Sequence, residues 1–138
     1  MKSRLTISIA IVFSVLVLST TALAQGAMKP IADTGMIKLG PNQVLRLTVP
    51  LGSGDDEMRI RFRRMEYIEQ GNIYNVAAVN TSAPIVVTAG EAATIQIPNN
   101  GAAVRGVVLS DNKDAKVVAI VFDTSTQRIT AICTFIPD

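Results

Sequence analysis

The 138-residue sequence predicts an all-β fold, an immunoglobulin-like antiparallel β-sandwich of about eight strands, with a small β-barrel as the alternative. Apolar residues alternate with polar ones at a period of two, in runs that recur about every ten residues. Clusters of Gly, Pro, Asn and Asp separate these runs. Helical periodicity is absent after the N-terminal segment, so the pattern favours two packed sheets.

In the first half of the domain, strands alternate with the turn sequences "GPN" (40–42), "GSGDD" (52–56) and "QGN" (70–72). Within "QVLRLTVP" the alternation places Leu45, Leu47 and Val49 on one inward face. Pro50 ends this strand because proline cannot donate a hydrogen bond to the ladder. The strands expected in this half lie at 35–39, 43–49, 58–68 and 72–80.

The second half has the same organisation around "NNG" (99–101), "SDNKD" (110–114) and "DTSTQ" (123–127). The strands expected here lie at 84–88, 92–97, 103–109, 117–123 and 128–136. The last strand contains the only cysteine, Cys133, in phase with apolar neighbours. This phase predicts a buried, small apolar side chain rather than a free or intermolecular thiol.

The N-terminus, "MKSRLTISIAIVFSVLVLSTTALAQG", has the order of a secretory signal peptide. Lys2 and Arg4 precede an apolar run that ends in Ala22-Leu23-Ala24, so we expect residues 1–24 to be removed. Residues 25–34 are expected to form a flexible N-terminal segment and residues 35–138 a single β-sandwich domain. The apolar run is short for a bilayer span, which needs about 20 residues. The protein is therefore expected to be exported, periplasmic or extracellular, with no membrane span after cleavage.

Removing this leader changes the interpretation of the charge. Lys2 and Arg4 account for the whole formal charge of +2, and the remaining chain has equal numbers of basic and acidic residues. A nucleic-acid partner normally requires a positive excess that neutralises phosphates. The sequence therefore predicts no nucleic-acid partner and favours contacts with other protein surfaces.

The composition also argues against an enzyme. The chain has no His, which removes the commonest general base, the usual nucleophilic triads and every metal site built on imidazole. One Cys excludes thiolate zinc sites and iron–sulfur clusters within one chain. Phosphate-binding and nucleophile-elbow motifs are absent from the sequence. We therefore expect no catalytic residues and no cofactor.

The stretch "RIRFRR" places Arg59, Arg61, Arg63 and Arg64 within six positions and is the candidate interaction surface. The alternation puts the first three on a solvent face, and then slips at the fourth. A β-bulge at Arg63–Arg64 would return Met65 and Tyr67 to the inner face. Nearby acids offer ion pairs, so we favour a solvated strand face over a contact surface for an anionic polymer or an acidic protein.

Two ligand classes remain as alternatives. The loops "GSGDDE" and "SDNKD" carry carboxylates that calcium prefers, with Asp55, Asp56 and Asp111 as candidate ligands, although neither loop matches the EF-hand pattern. Solvated acidic turns are the simpler interpretation. A glycan partner would need aromatic platforms, and the chain has no Trp and only Tyr67 and Tyr74.

Three segments are apolar on both faces, whereas a sandwich strand needs only one such face. They are "VVAIVF" (117–122), "IVV" (85–87) and "VAAV" (76–79). A neighbouring subunit could cover the second face, as could the segment 25–35, either by folding back or by reaching into another copy by strand addition. The alternative is that central strands of a small domain are apolar without any assembly.

The chain resembles a loose group of small exported bacterial proteins of unknown function. The resemblance lies in the G-x-x-x-L-x-P-x-Q-x-L-R-L-x-V pattern from Gly35 to Val49, in "AGEAATIQIP" (89–98) and in "VVAIVFDTSTQRITA" (117–131). Here Ile120 replaces an acidic residue of the group's closing strand, and Gln127 replaces the Gly of its turn. The resemblance implies a sandwich fold and export, and brings no catalytic residues. We expect an exported, non-enzymatic interaction or structural protein that associates with itself, or alternatively a module that binds glycan or calcium.

Overall fold

The computed structural model describes residues 27–99, 103–133 and 135. The expected signal peptide and part of the turn at 99–101 lie outside these ranges, as does the end of the strand predicted at 128–136. None of the described segments forms a helix, so none crosses a membrane as one. The described strands are β1 (Lys29–Asp33), β2 (Gln43–Pro50), β3 (Met58–Gln70), β4 (Ile73–Thr81), β5 (Ile85–Val87), β6 (Ala92–Pro98), β7 (Ala103–Ser110), β8 (Val118–Asp123) and β9 (Arg128–Ile132).

These strands form two antiparallel sheets that pack as a sandwich, which confirms the predicted fold class. In the first sheet the order is β1-β7-β3-β4, and β5 pairs with β3 beside β4. In the second sheet the order is β6-β2-β8-β9. The two sheets do not close into a barrel, so the alternative fold is wrong.

The core lies between the inner faces of the two sheets. Leu45, Leu47 and Val49 of β2 are fully buried, as the alternation predicted. They belong to one apolar cluster with Ile60 and Phe62 of β3. Burial of one such side chain stabilises the fold by about 1.5–3 kcal/mol. The period-two pattern therefore determines which side chains the sheets enclose.

Gly106 of β7 faces the side chains of β2 and β6 in the other sheet. A Cβ atom at this position would lie 2.6 Å from Leu47 Cδ1 and 3.4 Å from both Ile97 Cδ1 and Leu45 Cδ2. Real Cβ atoms do not approach carbon that closely, so a side chain here would displace fully buried neighbours. The absence of a side chain at Gly106 allows β2 to pack directly across β7.

The first strand lies earlier than predicted. The strand expected at 35–39 is wrong, because Gly35 has a φ of 66° and only Ile37 forms an isolated bridge, with Val104. β1 instead lies within the segment that was expected to be flexible. It is held against β7 because Asp33 accepts hydrogen bonds from Arg105, at 2.8 Å from Nε to Oδ1 and also from Nη2 to Oδ2. This pairing partner is 72 residues away in the sequence, so local patterns gave no sign of it.

Edge strands of both sheets carry irregularities. The register shifts in the ladders of β1, β4 and β9 leave one extra residue in each strand, at Ile31, Ala77 and Thr130. Bulges are common at sheet edges, where they twist the strand and discourage further pairing. β1 also contains a lysine and a proline and β9 an arginine, whereas β4 contains no charged residue and no proline. β4 is therefore the least protected of these three edges.

We predict that Gly106→Val lowers the free energy of unfolding by about 1–3 kcal/mol, because the added carbons overpack the contact with Leu47. Urea denaturation would measure the loss. Leu47→Ala alone should cost about 2–5 kcal/mol, since it leaves a cavity. The double variant Gly106→Val/Leu47→Ala should lose less stability than the sum of the two single losses, because the cavity left by Leu47 accepts the new side chain. An unchanged midpoint for Gly106→Val would contradict the described packing.

We predict that Asp33→Asn lowers stability at pH 7 by about 1 kcal/mol, as expected for a half-exposed ion pair. The Arg105 hydrogen bonds lower the pKa of Asp33, partial burial opposes this, and the Gly35 backbone N–H lowers it further. A lowered folded-state pKa means that the contribution is present above the unfolded value of about 4 and is lost as pH falls through the folded value. The gap between Asp33→Asn and the wild type should therefore close below about pH 4. Asp56→Asn in an exposed loop is the control and should show no such gap.

Candidate functional site

The candidate arginines do not all lie on one face of β3. Arg59, Arg61 and Arg63 alternate with the buried side chains of this strand and lie on its outer face. Arg64 lies on the inner face, since the ladder between β3 and β7 runs without interruption. The predicted bulge at Arg63–Arg64 is therefore wrong. The extra residue lies in the neighbouring strand instead, at Ala77 of β4.

This uninterrupted alternation changes the environment of the residues that follow. Met65 and Tyr67 stay on the same outer face as Arg59, Arg61 and Arg63. The Tyr67 hydroxyl donates a hydrogen bond to Met65 Sδ at 3.7 Å. On the inner face, Arg64 Nε lies 3.2 Å from Glu66 Oε1, at ion-pair distance but without the alignment of a hydrogen bond. Arg64 is therefore separate from the outer arginine row, which we define as Arg59, Arg61 and Arg63.

The members of the outer arginine row differ in their partners. The Arg59 backbone N–H donates to Asp111 Oδ1 at 3.0 Å, and its Nε donates to Asp111 Oδ2 at 3.3 Å. Arg63 Nε donates to Thr81 Oγ1 at 3.3 Å. Arg61 Nε is buried and has no hydrogen-bond partner in the described part of the chain. Arg61 is therefore the member of the row whose charge is least compensated.

The outer face of β7 next to this row is apolar, which the sequence analysis missed. Val107 and Leu109 lie on the outer face and are buried. In the ladder Arg61 pairs with Leu109 and Arg63 with Val107. This pairing places the aliphatic stems of both arginines beside the two apolar side chains, so the row shields them from water. The run "GVVL" (106–109) was the available signal, because it is apolar at both phases.

Arg105 extends the basic surface of the outer face towards β1. It lies opposite Met65 in the ladder and donates to the Asp33 carboxylate. The hydrogen bond to Asp33, followed by that to Tyr67, raises the pKa of the Arg105 guanidinium, while burial opposes the rise. The Arg105 guanidinium is thus paired with groups of its own chain, so it adds little unpaired positive charge to this face.

Two of the three candidate calcium ligands line an open groove. The loops after β2 and β7 approach each other and enclose about 500 Å³, with Asp55 and Asp56 on one side and Asp114 and Lys116 on the other. Asp111 lies outside this groove and binds Arg59. The structure therefore does not bring the three candidates together. It adds a different carboxylate, Asp114, from the loop in which Asp111 was expected to act.

The groove carboxylates have contacts of their own. Asp55 Oδ2 accepts a hydrogen bond from the Gly52 backbone N–H at 2.9 Å, which closes the loop on itself. Among the described residues, no group of three or more His, Cys, Asp or Glu side chains is arranged to hold a metal ion. These contacts support the interpretation of "GSGDDE" as a solvated turn.

The two tyrosines and the cysteine are half-buried residues in or next to strands. Tyr67 and Tyr74 are half-buried on the outer face of the β3–β4 hairpin, as expected for strand residues. Cys133 directly follows β9 and is half-buried against the core, and its backbone N–H donates to the Ala119 carbonyl at 2.9 Å. Burial raises the pKa of its thiol, which keeps it protonated and unreactive at neutral pH.

The doubly apolar segment "VAAV" forms the middle of β4, where it is largely exposed. Val76 is 54% and Val79 52% exposed, and Ile73 at the start of the strand is 64% exposed. β4 pairs with β3 only, and within the described residues no strand occupies its other edge. The hairpin thus presents an apolar edge strand to solvent.

The segment "VVAIVF" has a different environment in β8. Its inner residues Ala119 and Val121 are buried in the core. On the outer face, Phe122 is half-buried, and the Arg46 guanidinium lies 4.5 Å from its ring centroid, as in a cation–π contact. Ile129 of the neighbouring strand β9 is exposed on the same face. This second apolar surface also includes the exposed Val118 and Ile132, and Arg46 covers part of it.

Comparisons with protein-family models, with curated proteins and with solved structures find no match to this chain.

We predict that Asp111→Ala destabilises the protein by about 1–2 kcal/mol in the presence of a chelator, because the backbone and side chain of Arg59 lose a charged acceptor. Urea denaturation would measure this loss. Asp56→Ala is the matched control and should change stability by less than about 0.5 kcal/mol. If Asp111→Ala were neutral in chelator and reduced stability only in calcium, Asp111 would be a metal ligand instead.

Proposed function

We propose that this protein is exported, has no catalytic role and works by contact between protein surfaces, associating with copies of itself as a structural subunit at the cell exterior. The observation that carries the proposal is the β3–β4 hairpin, whose edge strand exposes apolar side chains over its length. Apolar side chains that are exposed together at the surface of a domain mark sites of association.

The absence of catalytic function is supported by the groups that line the surface openings. The chain has no His, and its Cys133 thiol is protonated at neutral pH. The groove between the loops after β2 and β7 offers Asp and Lys side chains without a described oxyanion-binding or metal-binding arrangement. Two carboxylates alone can support glycoside hydrolysis, but Asp55 Oδ2 of the groove accepts a hydrogen bond from the Gly52 backbone N–H at 2.9 Å and closes its own loop.

The outer arginine row favours a second candidate, an acidic protein partner. Arg61 is the observation in its favour, since its Nε has no hydrogen-bond partner in the described part of the chain. A carboxylate from another protein would pair with the guanidinium charge of Arg61, although not with Nε itself, because that atom is buried. The same arginine side chains shield Val107 and Leu109 from water, and this role in the fold explains the row without any partner. The acidic partner is therefore the second candidate.

Association predicts a mass that rises with concentration. The full chain should be produced with its leader, purified after export and measured by light scattering behind size-exclusion chromatography, with electron microscopy of the same fractions. We expect oligomers whose population grows with protein concentration. A monomer mass at every concentration would overturn the proposed function.

The salt dependence separates the two candidates. Apolar association should persist in about 1 M salt, where the Debye length is only about 3 Å. An arginine-based contact with an acidic partner should weaken under the same conditions, because exposed charges are then screened. Oligomers that dissociate in high salt would therefore argue against apolar association.

A further inference from the structure

The free edge of β4 has an unusual composition for an exposed strand. The strand runs over nine residues as "IYNVAAVNT", without a charged residue or a proline. Natural proteins protect edge strands with lysines, prolines or strong bulges, because unpaired backbone groups are a template for another strand. β4 has only the extra residue Ala77. Its composition is typical of a strand that pairs in the assembled state.

The ladder with β3 determines which face each residue of β4 occupies. The residues opposite the outer face of β3 are Tyr74, Val76, Val79 and Thr81. The residues opposite its inner face are Ile73, Asn75, Ala78 and Asn80. The phase changes at Ala77, since this residue is extra. The side chains therefore alternate regularly between the two faces both before and after Ala77, the small residue at the centre of the strand.

We propose that β4 pairs antiparallel with β4 of a second copy of this chain, with Val76 opposite Val79 of the second copy. This inference rests on the proposed function and names its interface. In an antiparallel ladder, directly opposite residues share a face. The register that pairs the two valines also pairs Asn75 with Asn80 and Tyr74 with Thr81, so outer residues meet outer residues and inner residues meet inner ones. Ala77 and Ala78 meet at the two-fold axis, where small side chains accommodate the bulge.

The charges of β3 favour the antiparallel orientation. Arg63 and Arg64 lie next to the end of β4, opposite Thr81 and Asn80, and Glu69 lies next to its start, opposite Tyr74. Glu66 lies opposite Ala78 and pairs with Arg64 of its own strand. Antiparallel pairing brings the basic end of one hairpin beside the acidic end of the other. Parallel pairing would place like charges together, which is unfavourable. The charges lie on β3, one strand away from the contact, so they only bias the orientation, and the exposed apolar residues provide the contact.

The contact is symmetric and closed. In a dimer with a two-fold axis, the same surface of each copy forms the contact. Both β4 edges are then occupied, so no third copy can pair with them. The first sheets of the two copies become one continuous sheet. A contact limited to one strand edge buries less than the about 1,600 Å² of a standard interface. We therefore expect a dissociation constant of about 1–100 µM and a dimer that depends on concentration.

The test uses analytical ultracentrifugation of the full chain purified after export. Val79→Lys adds a positive charge at the centre of the proposed contact, at a position that is exposed in one copy. It should raise the dissociation constant about tenfold or more, since the charge must be buried against an apolar neighbour. Val76→Glu should have the same effect. The double variant Val76→Glu/Val79→Lys should return the dissociation constant to within about threefold of the wild type, because each Glu then faces a Lys.

Two matched controls separate this edge from other surfaces. Val118→Lys on the outer face of the second sheet changes a valine that is 49% exposed, close to the exposure of Val79. Ile129→Lys changes an exposed apolar residue of the other bulged apolar edge, β9. Neither should change the dissociation constant. Thermal unfolding of every variant would verify that each retains the fold.

The outcomes distinguish this inference from the proposed function. Loss of the dimer in both single variants and recovery in the double variant would support the β4 register. Association that is unchanged by Val79→Lys but abolished by Ile129→Lys would overturn the inference and leave the proposed function standing. Failure of the double variant to recover would overturn the stated register. A wild-type chain that stays monomeric throughout would overturn both.

Discussion

At Gly106 the backbone of β7 lies within contact distance of the β2 side chains, and this approach brings the two sheets together. Leu47 Cδ1 would lie only 2.6 Å from a Cβ atom there, so the sheets could not reach their spacing with a larger residue. The strands that cross at this point, β7 and β2, are the most completely buried of their sheets. The edge strands β4 and β9 lie away from this crossing in their sheets. The edge strands β4 and β9 expose most of their residues for this reason.

The arginines of β3 illustrate how a conspicuous sequence feature is used within the fold. Arg59 holds the loop after β7 through Asp111, and Arg63 bonds Thr81 of the neighbouring strand. The stems of Arg61 and Arg63 cover apolar residues of β7. The solvated strand face that the sequence favoured accounts for these contacts. What remains for a partner is the guanidinium of Arg61, a single charge whose contribution to affinity would be modest.

The β3–β4 hairpin combines two properties, and although the edge strand β9 shows both as well, β9 contains Arg128 whereas β4 has no charged residue. Its apolar side chains are exposed, and its backbone edge is not occupied by any strand within the described residues. The apolar face of β8 has the first property, but Arg46 covers Phe122 there. An edge contact gains both backbone hydrogen bonds and apolar burial in one step, which neither surface property provides alone. Pairing with a second β4 would therefore satisfy the free backbone groups of this edge and bury its exposed apolar side chains at the same time.

The sequence by itself determined the fold class, the approximate extent of eight of the nine strands described here and the inward face of β2. Alternation and turn residues are local properties, so they can be recognised without knowing which strands are neighbours. The tertiary structure alone decided that β1 lies at Lys29–Asp33, that the bulge falls at Ala77 rather than at Arg63–Arg64, and that Asp111 meets Arg59 rather than the groove. Each of these depends on hydrogen bonds or ion pairs between residues distant in the sequence, and local pattern contains no information on such partners. The exposure of β4 is of the same kind, because a doubly apolar strand is central or peripheral only once the order of the sheet is known.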